Sequence, residues 1–261
     1  IPKTNIAKLS WSSRVEMIDV LGETLRHSKR IAIEYSPNCE LPRVSRVDAG
    51  TIELVKQAGV EVVSSADLFQ YSTQVWSNND LKSHEKASSL LTQIVYEAFS
   101  YIGDNLSNKV TEFQVAEFIR SRFIEENMEI TDGPVVATNS HSSDPHYEPD
   151  KENSSVIQKS DWVLIDLWSS LAEEGSMAAD ITWTGYVGNK IPTKNQNVFD
   201  IVIGARDCAL DYLINAHQKG RLVKGYEIDK IAREYIFKAG YGEYFKHRLG
   251  HSIGKEIHSN A

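Results

Sequence analysis

Two runs rich in β-branched and aromatic residues, WVLIDL at 162–167 and ADITWTGYV at 179–187, each carry an aspartate inside an otherwise apolar pattern. Aspartate is depleted in strands, so Asp166 and Asp180 constrain the chain more than any other feature. The midpoint between them is residue 173, and Glu173-Glu174-Gly175 suits a turn. A symmetric hairpin about that point sets the two carboxylates opposite each other on one face. Like charges so placed repel, and burial drives one of them to bind a proton unless a divalent cation relieves the pair. The other reading is a wider loop with both carboxylates in solvent.

The preceding sequence alternates helix and strand signals. Residues 15–25 carry apolar positions at helical spacing, 30–35 (RIAIEY) reads as a strand, and 48–58 reads as a helix capped by Asp48 and stopped at Gly59. Residues 60–63 (VEVV) read as the next strand, which implies a parallel α/β layer. A boundary falls near Trp76. Ser77-Asn78-Asn79-Asp80 has the form of a helix start, and Leu91, Val95, Ala98 and Ile102 make one stripe of a long helix. Thr111-Glu112-Phe113-Gln114 opens another helix that runs to about Glu126. These stripes read as core that covers one face of a sheet. Residues 140–155 (SHSSDPHYEPDKENSS) form a long polar loop whose two histidines and tyrosine favour a functional role. Helices are expected again over 198–217 and 228–238.

Composition excludes several classes. The net charge of −8 argues against nucleic acid as the main partner, and no apolar run is long enough to span a membrane. Cys39 and Cys208 fit no zinc spacing and read as unpaired buried thiols in a reducing, cytoplasmic compartment. The chain opens on Ile1 rather than Met, in what reads as running sequence, so a preceding targeting segment stays open.

The last stretch, FKHRLGHSIGKEIH at 245–258, is dense in histidine and glycine. Gly250 and Gly254 flank His251 and speak against a helical zinc motif, where two histidines stand one turn apart. They favour an extended or turning backbone that lets imidazoles face a crowded site. A lone histidine is usually structural. His247, His251 and His258 together, with His146 in the polar loop, point to metal or acid–base use.

VLIDL, ADITWTGYVG and HRLGHSIGKEIH together resemble the pita-bread metallopeptidases, the Xaa-Pro aminopeptidase, prolidase and creatinase-like family. The resemblance covers the whole chain. It implies an α/β (α+β) architecture, with residues 1–75 as the C-terminal part of a creatinase-type N-terminal domain and 76–261 as an incomplete pita-bread catalytic domain. It also implies metal ligands at Asp166, at Asp180, which bridges two ions, and at His251. His146 matches a loop histidine that contacts substrate. His258 matches a catalytic histidine that stabilises the reacting carbonyl or moves protons, and His247 another histidine of the active site, assigned here to substrate binding. The implied cofactors are two divalent ions, Mn²⁺, Co²⁺ or Zn²⁺, and the implied substrate is a short proline-containing peptide. A homodimer is the family's common habit.

Three departures accompany the match. The Asp166–Asp180 interval is three residues longer than usual. The family's Thr-Arg-Thr is here Thr182-Trp183-Thr184. Two further glutamate ligands, one of them the general base, are expected after Ala261, so negligible activity is expected of these 261 residues alone. A metal-free creatinase-like enzyme and a catalytically inactive binding module on the same fold are the competing readings.

Overall fold

The computed structural model describes residues 7–41, 44–130 and 132–258. The chain divides into two compact units between Val75 and Trp76.

In the first unit, helix α1 (Arg14–Leu25) starts at Ser13, whose hydroxyl accepts from Glu16 N. Strands β1 (Arg30–Ile33) and β2 (Glu61–Ser64) pair in parallel, with helix α2 (Ala49–Gln57) between them in sequence. Asp48 caps α2 by accepting from Thr51 N at 2.9 Å, and Gly59 leaves the helix at φ +83°. This is the strand–helix–strand layer expected from the pattern. Helix α3 (Ala66–Gln74) was not expected. Ala66 is its one buried residue, and Leu68 and Tyr71 face solvent.

The second unit is built on two long amphipathic helices. Helix α4 (Asn78–Asn105) opens with a reciprocal capping box: Ser77 Oγ accepts from Asp80 N, and the Asp80 carboxylate accepts from Ser77 N. Helix α5 (Glu112–Glu125) opens with a second box between Thr111 and Gln114. Leu91, Ile94, Val95 and Ala98 of α4 and Val115, Ala116 and Ile119 of α5 are fully buried. They pack on Val136, Val163, Ile165, Leu167 and Ala179 of an antiparallel sheet ordered β3 (Val135–Thr138), β4 (Trp162–Ser169), β5 (Ala179–Tyr186). Each fully buried Leu or Ile stabilises the fold by about 1.5–3 kcal/mol, so these positions dominate the unit. At Gly185 the helix layer comes so close that a Cβ would lie 2.7 Å from the Phe99 ring.

Along β4 burial alternates strictly. Val163, Ile165, Leu167 and Ser169 are buried against the helices, while Leu164, Asp166 and Trp168 occupy the other face. That second face carries the site. Strand β3 was not foreseen, because VVAT is only four residues long and apolar without alternation. Helices α6 (Thr193–Gln218) and α7 (Gly225–Lys238) pair through Ala205, Ala209, Ala232 and Ile236, and both start earlier than their apolar patterns indicate. Residues 246–258 contain neither helix nor strand, as the glycines there lead one to expect. Both cysteines are free, but the expected burial is not found: Cys39 is exposed and Cys208 half-buried. Among the described residues no helix is long and apolar enough to cross a membrane.

Candidate metal site

Strands β4 and β5 put Asp166 and Asp180 on one face, as the period-two pattern requires, but not opposite each other. Asp166 pairs with Thr182, and Trp168 pairs with Asp180. The hairpin pivots on residue 174 rather than 173, which moves every partner by two positions and preserves the face. The cause lies beyond the ribbon. Leu171 turns into the core and bridges Met128, Glu129 N donates to Ser170 O, and Ala172 N donates to Asn127 O, so the β4 chain stays paired past its expected end. The reversal then falls at 173–176, where Ser176 N donates to Glu173 O and Gly175 takes φ +86°.

Thr182 uses its place opposite Asp166 to donate a 2.7 Å hydrogen bond to Oδ1. Burial pushes the Asp166 carboxyl above its ordinary value, against the pull of that bond and of His251 and His258. Asp180 is pushed up to about 6, first by burial and then by the negative charge of Asp166, with His251 pulling the other way. The ribbon thus holds two half-buried carboxylates, and the charge of Asp166 opposes ionisation of Asp180.

The imidazoles come from the irregular segment after α7. His251 Nε2 lies 3.5 Å from Asp180 Oδ2, and the His251 and His258 rings stand 4.4 Å apart, tilted by 44°. His251 Nδ1 is 3.2 Å from Ser252 O, which leaves Nε2 toward the carboxylate. Asp166, Asp180, His251 and His258 are therefore gathered at one place. His146 and His247 are not part of this group. His146 is exposed on its loop, with its backbone N–H bonded to Asp144. His247 lies over α7, edge-on to Phe245, with Nδ1 2.8 Å from Arg248 O.

The donor chemistry suits a divalent cation, two acidic oxygens and one imidazole around a shared charge deficit. Among the described residues, however, no group of three or more His, Cys, Asp or Glu side chains is drawn tightly enough to grip an ion by itself. The 3.5 Å approach of His251 to Asp180 is the direct contact that the structure makes between an imidazole and a carboxylate of this face.

Sequence reasoning missed one buried acid. Glu112, noted in the sequence only as part of the helix start at Thr111-Glu112-Phe113-Gln114, is fully buried. Its carboxylate accepts from Thr138 N (2.6 Å), Thr138 Oγ1 (2.7 Å), Tyr147 Oη (2.6 Å) and Ser155 N (2.7 Å), with His141 Nδ1 at 3.0 Å from both oxygens. His141 and Tyr147 stack at 4.2 Å. This network orders the polar loop that carries His146. No local pattern flags it, because its partners lie 26–43 residues away.

The Trp183 departure also finds an explanation. Trp183 pairs with Ile165 on the helix-facing side of the ribbon and meets Tyr96 of α4 edge-on at 5.2 Å. It points away from Asp180 and Thr182, so the change of residue leaves the carboxylate face untouched.

The fold of this chain is shared with known peptidases. The profile of metallopeptidase family M24 matches residues 85–261. The Xaa-Pro dipeptidase of Pyrococcus horikoshii is 29% identical over 208 residues, 79% of this chain and 54% of that protein. The solved prolidase from Pyrococcus horikoshii superposes with a TM-score of 0.62 at 26% identity, over 93% of this chain and 63% of that one. The X-Pro aminopeptidase from Thermotoga maritima gives 0.60 at 25% identity, over 94% and 64%. The chain spans about half the length of the curated relatives it matches. It belongs to metallopeptidase family M24 and has that family's pita-bread fold.

Proposed function

We propose that the protein containing this chain hydrolyses Xaa-Pro peptide bonds with the help of two divalent metal ions. The observation that carries the reading is that Asp166 and Asp180 share one face of the β4–β5 ribbon while His251 lies 3.5 Å from Asp180. Those three residues would hold the ions, and the set suits Mn²⁺, Co²⁺ or Zn²⁺. The chemistry such ions supply when bound is Lewis-acid polarisation of a carbonyl and activation of water. Asp166 and Asp180 contribute the negative charge that attracts cations to this face. His258, whose ring stands 4.4 Å from that of His251, is assigned to hold or move a proton at the reacting carbonyl. His146, on the loop that Glu112 pins, is assigned to substrate contact and proton handling, and His247 to substrate binding. The dipeptidase and aminopeptidase relatives support a short proline-containing peptide as the substrate. The homodimer and the cytoplasmic setting implied by the resemblance belong to the same proposal, and two unpaired thiols support a reducing compartment.

The test is metal analysis of the gene product paired with Asp180→Ala. The unaltered protein is expected to retain metal and to cleave Ala-Pro far faster than Ala-Ala, and the variant to lose both properties. Unchanged metal content in the variant would remove Asp180 from the site, and equal cleavage of the two dipeptides would end the Xaa-Pro assignment.

A further inference from the structure

His251 belongs to a segment without helix or strand, yet it meets Asp180 within 3.5 Å. Something outside the segment must hold it there. Upstream, the support is an ion pair on α7. Arg233 forks onto Asp229 through Nε (2.9 Å) and Nη2 (3.0 Å). The same guanidinium donates from Nη1 to Phe245 O and from Nη2 to His247 O, both at 2.9 Å. The carboxylate accepts from Leu249 N at 2.7 Å. Three alternate residues, 245, 247 and 249, are thus tied by their backbone to two side chains one helical turn apart. Phe245 and Leu249 also pack on the α6–α7 cluster, and the guanidinium lies 4.3 Å over the Phe245 ring. Downstream, Ala178 N at the entrance to β5 donates to Gly254 O at 2.8 Å. His251 therefore hangs between two fixed points, Leu249 N two residues before it and Gly254 O three residues after it.

We propose that Asp229 and Arg233 are positioning residues that fix the reach of His251 toward Asp180. Neither touches the carboxylate face; both act through the backbone of 245–249. A guanidinium is needed because one planar fork serves a carboxylate and two carbonyls at once, which an ammonium cannot do. As a statement about metal binding, the inference rests on the reading of His251 as a ligand given above.

The experiment uses the full gene product that carries this chain, Zn²⁺ as the probe, and the variants Asp229→Ala, Arg233→Gln and Arg233→Lys. Lys230→Ala breaks only the exposed Lys230–Glu234 pair on the same helix and serves as the control. Two quantities are read: the Zn²⁺ dissociation constant by calorimetry, and the contact between the His251 and His258 rings by NMR in the metal-free chain. Asp229→Ala and Arg233→Gln are expected to weaken Zn²⁺ binding about 10-fold or more, the scale on which an outer support of a ligating histidine acts. Both should also abolish the ring contact, with Arg233→Lys intermediate and Lys230→Ala unchanged. If Asp229→Ala fails to fold, Arg233→Lys, which keeps the charge and loses the fork, supplies the same two readouts. Intact ring contact, or unchanged Zn²⁺ affinity, in the folded Asp229 and Arg233 variants overturns the proposal. Failure of the unaltered gene product to take up Zn²⁺ counts against the peptidase reading alone, since the metal-free ring contact still decides the role of the clamp.

Discussion

Asp166 and Asp180 share one face of the β4–β5 ribbon while standing diagonally across it, with Thr182 and Trp168 as their direct partners. Diagonal positions in an antiparallel ribbon are roughly 7–8 Å apart. That is near enough for the charge of Asp166 to help raise the Asp180 carboxyl, and it leaves the place opposite Asp166 free for the Thr182 hydroxyl.

In metal-free buffer this arrangement makes stability fall as pH rises. Asp180 binds its proton up to about pH 6 when folded, against an ordinary value of 3.8. Between those values the folded chain holds a proton that the unfolded chain has released, so protonation favours folding. That contribution is fully present below about pH 4 and is lost as the pH passes through about 6, a change of roughly 2–3 kcal/mol. Urea unfolding of the unaltered chain and Asp180→Asn between pH 4.5 and 7.5 measures it. The variant should lose this part of the slope, and identical slopes would assign the effect to another group.

Glu112 is expected to be among the most sensitive positions in the second unit. Glu112→Ala leaves the amides of Thr138 and Ser155 and the Thr138 and Tyr147 hydroxyls without their acceptor in a buried place. Unsatisfied buried donors cost about 1–3 kcal/mol each before relaxation, so a loss of about 3 kcal/mol or more is expected. Glu112→Gln retains one acceptor oxygen and should lose less. Denaturant midpoints measure both, and a shift within about 0.5 kcal/mol for the alanine variant would contradict the network.

Gly185→Ala should destabilise by about 1–3 kcal/mol through overpacking, because the new Cβ would press on the Phe99 ring. Phe99→Leu, harmful by itself, should recover part of that loss when combined with it. A double-mutant cycle in urea reads the coupling, and simple additivity would place the strain elsewhere.

Trp183→Arg restores the residue type that the family pattern carries at this position. Trp183 faces α4 and is 37% exposed, so the substitution should remove an edge contact with Tyr96 worth about 0.5–1.5 kcal/mol. Zn²⁺ affinity should stay within about twofold, since the side chain lies on the far side of the ribbon from Asp180. A large change in affinity would show that the two faces are coupled.

Local chemistry settled much of this protein before any tertiary contact was considered. The capping boxes at Ser77–Asp80 and Thr111–Gln114 start helices where their spacing says they should, because a cap is satisfied within four residues. The stripe from Leu91 to Ile102 is buried, and the two aspartates share a face, because helical and strand periods follow from covalent geometry. Tertiary structure decided the rest. The register depends on Leu171 finding Met128, the loop bearing His146 depends on a carboxylate from a different helix, and the approach of His251 to Asp180 depends on Arg233 and Asp229. Each of these is a contact between residues far apart in the chain. Its strength comes from burial and hydrogen-bond geometry that no local pattern contains.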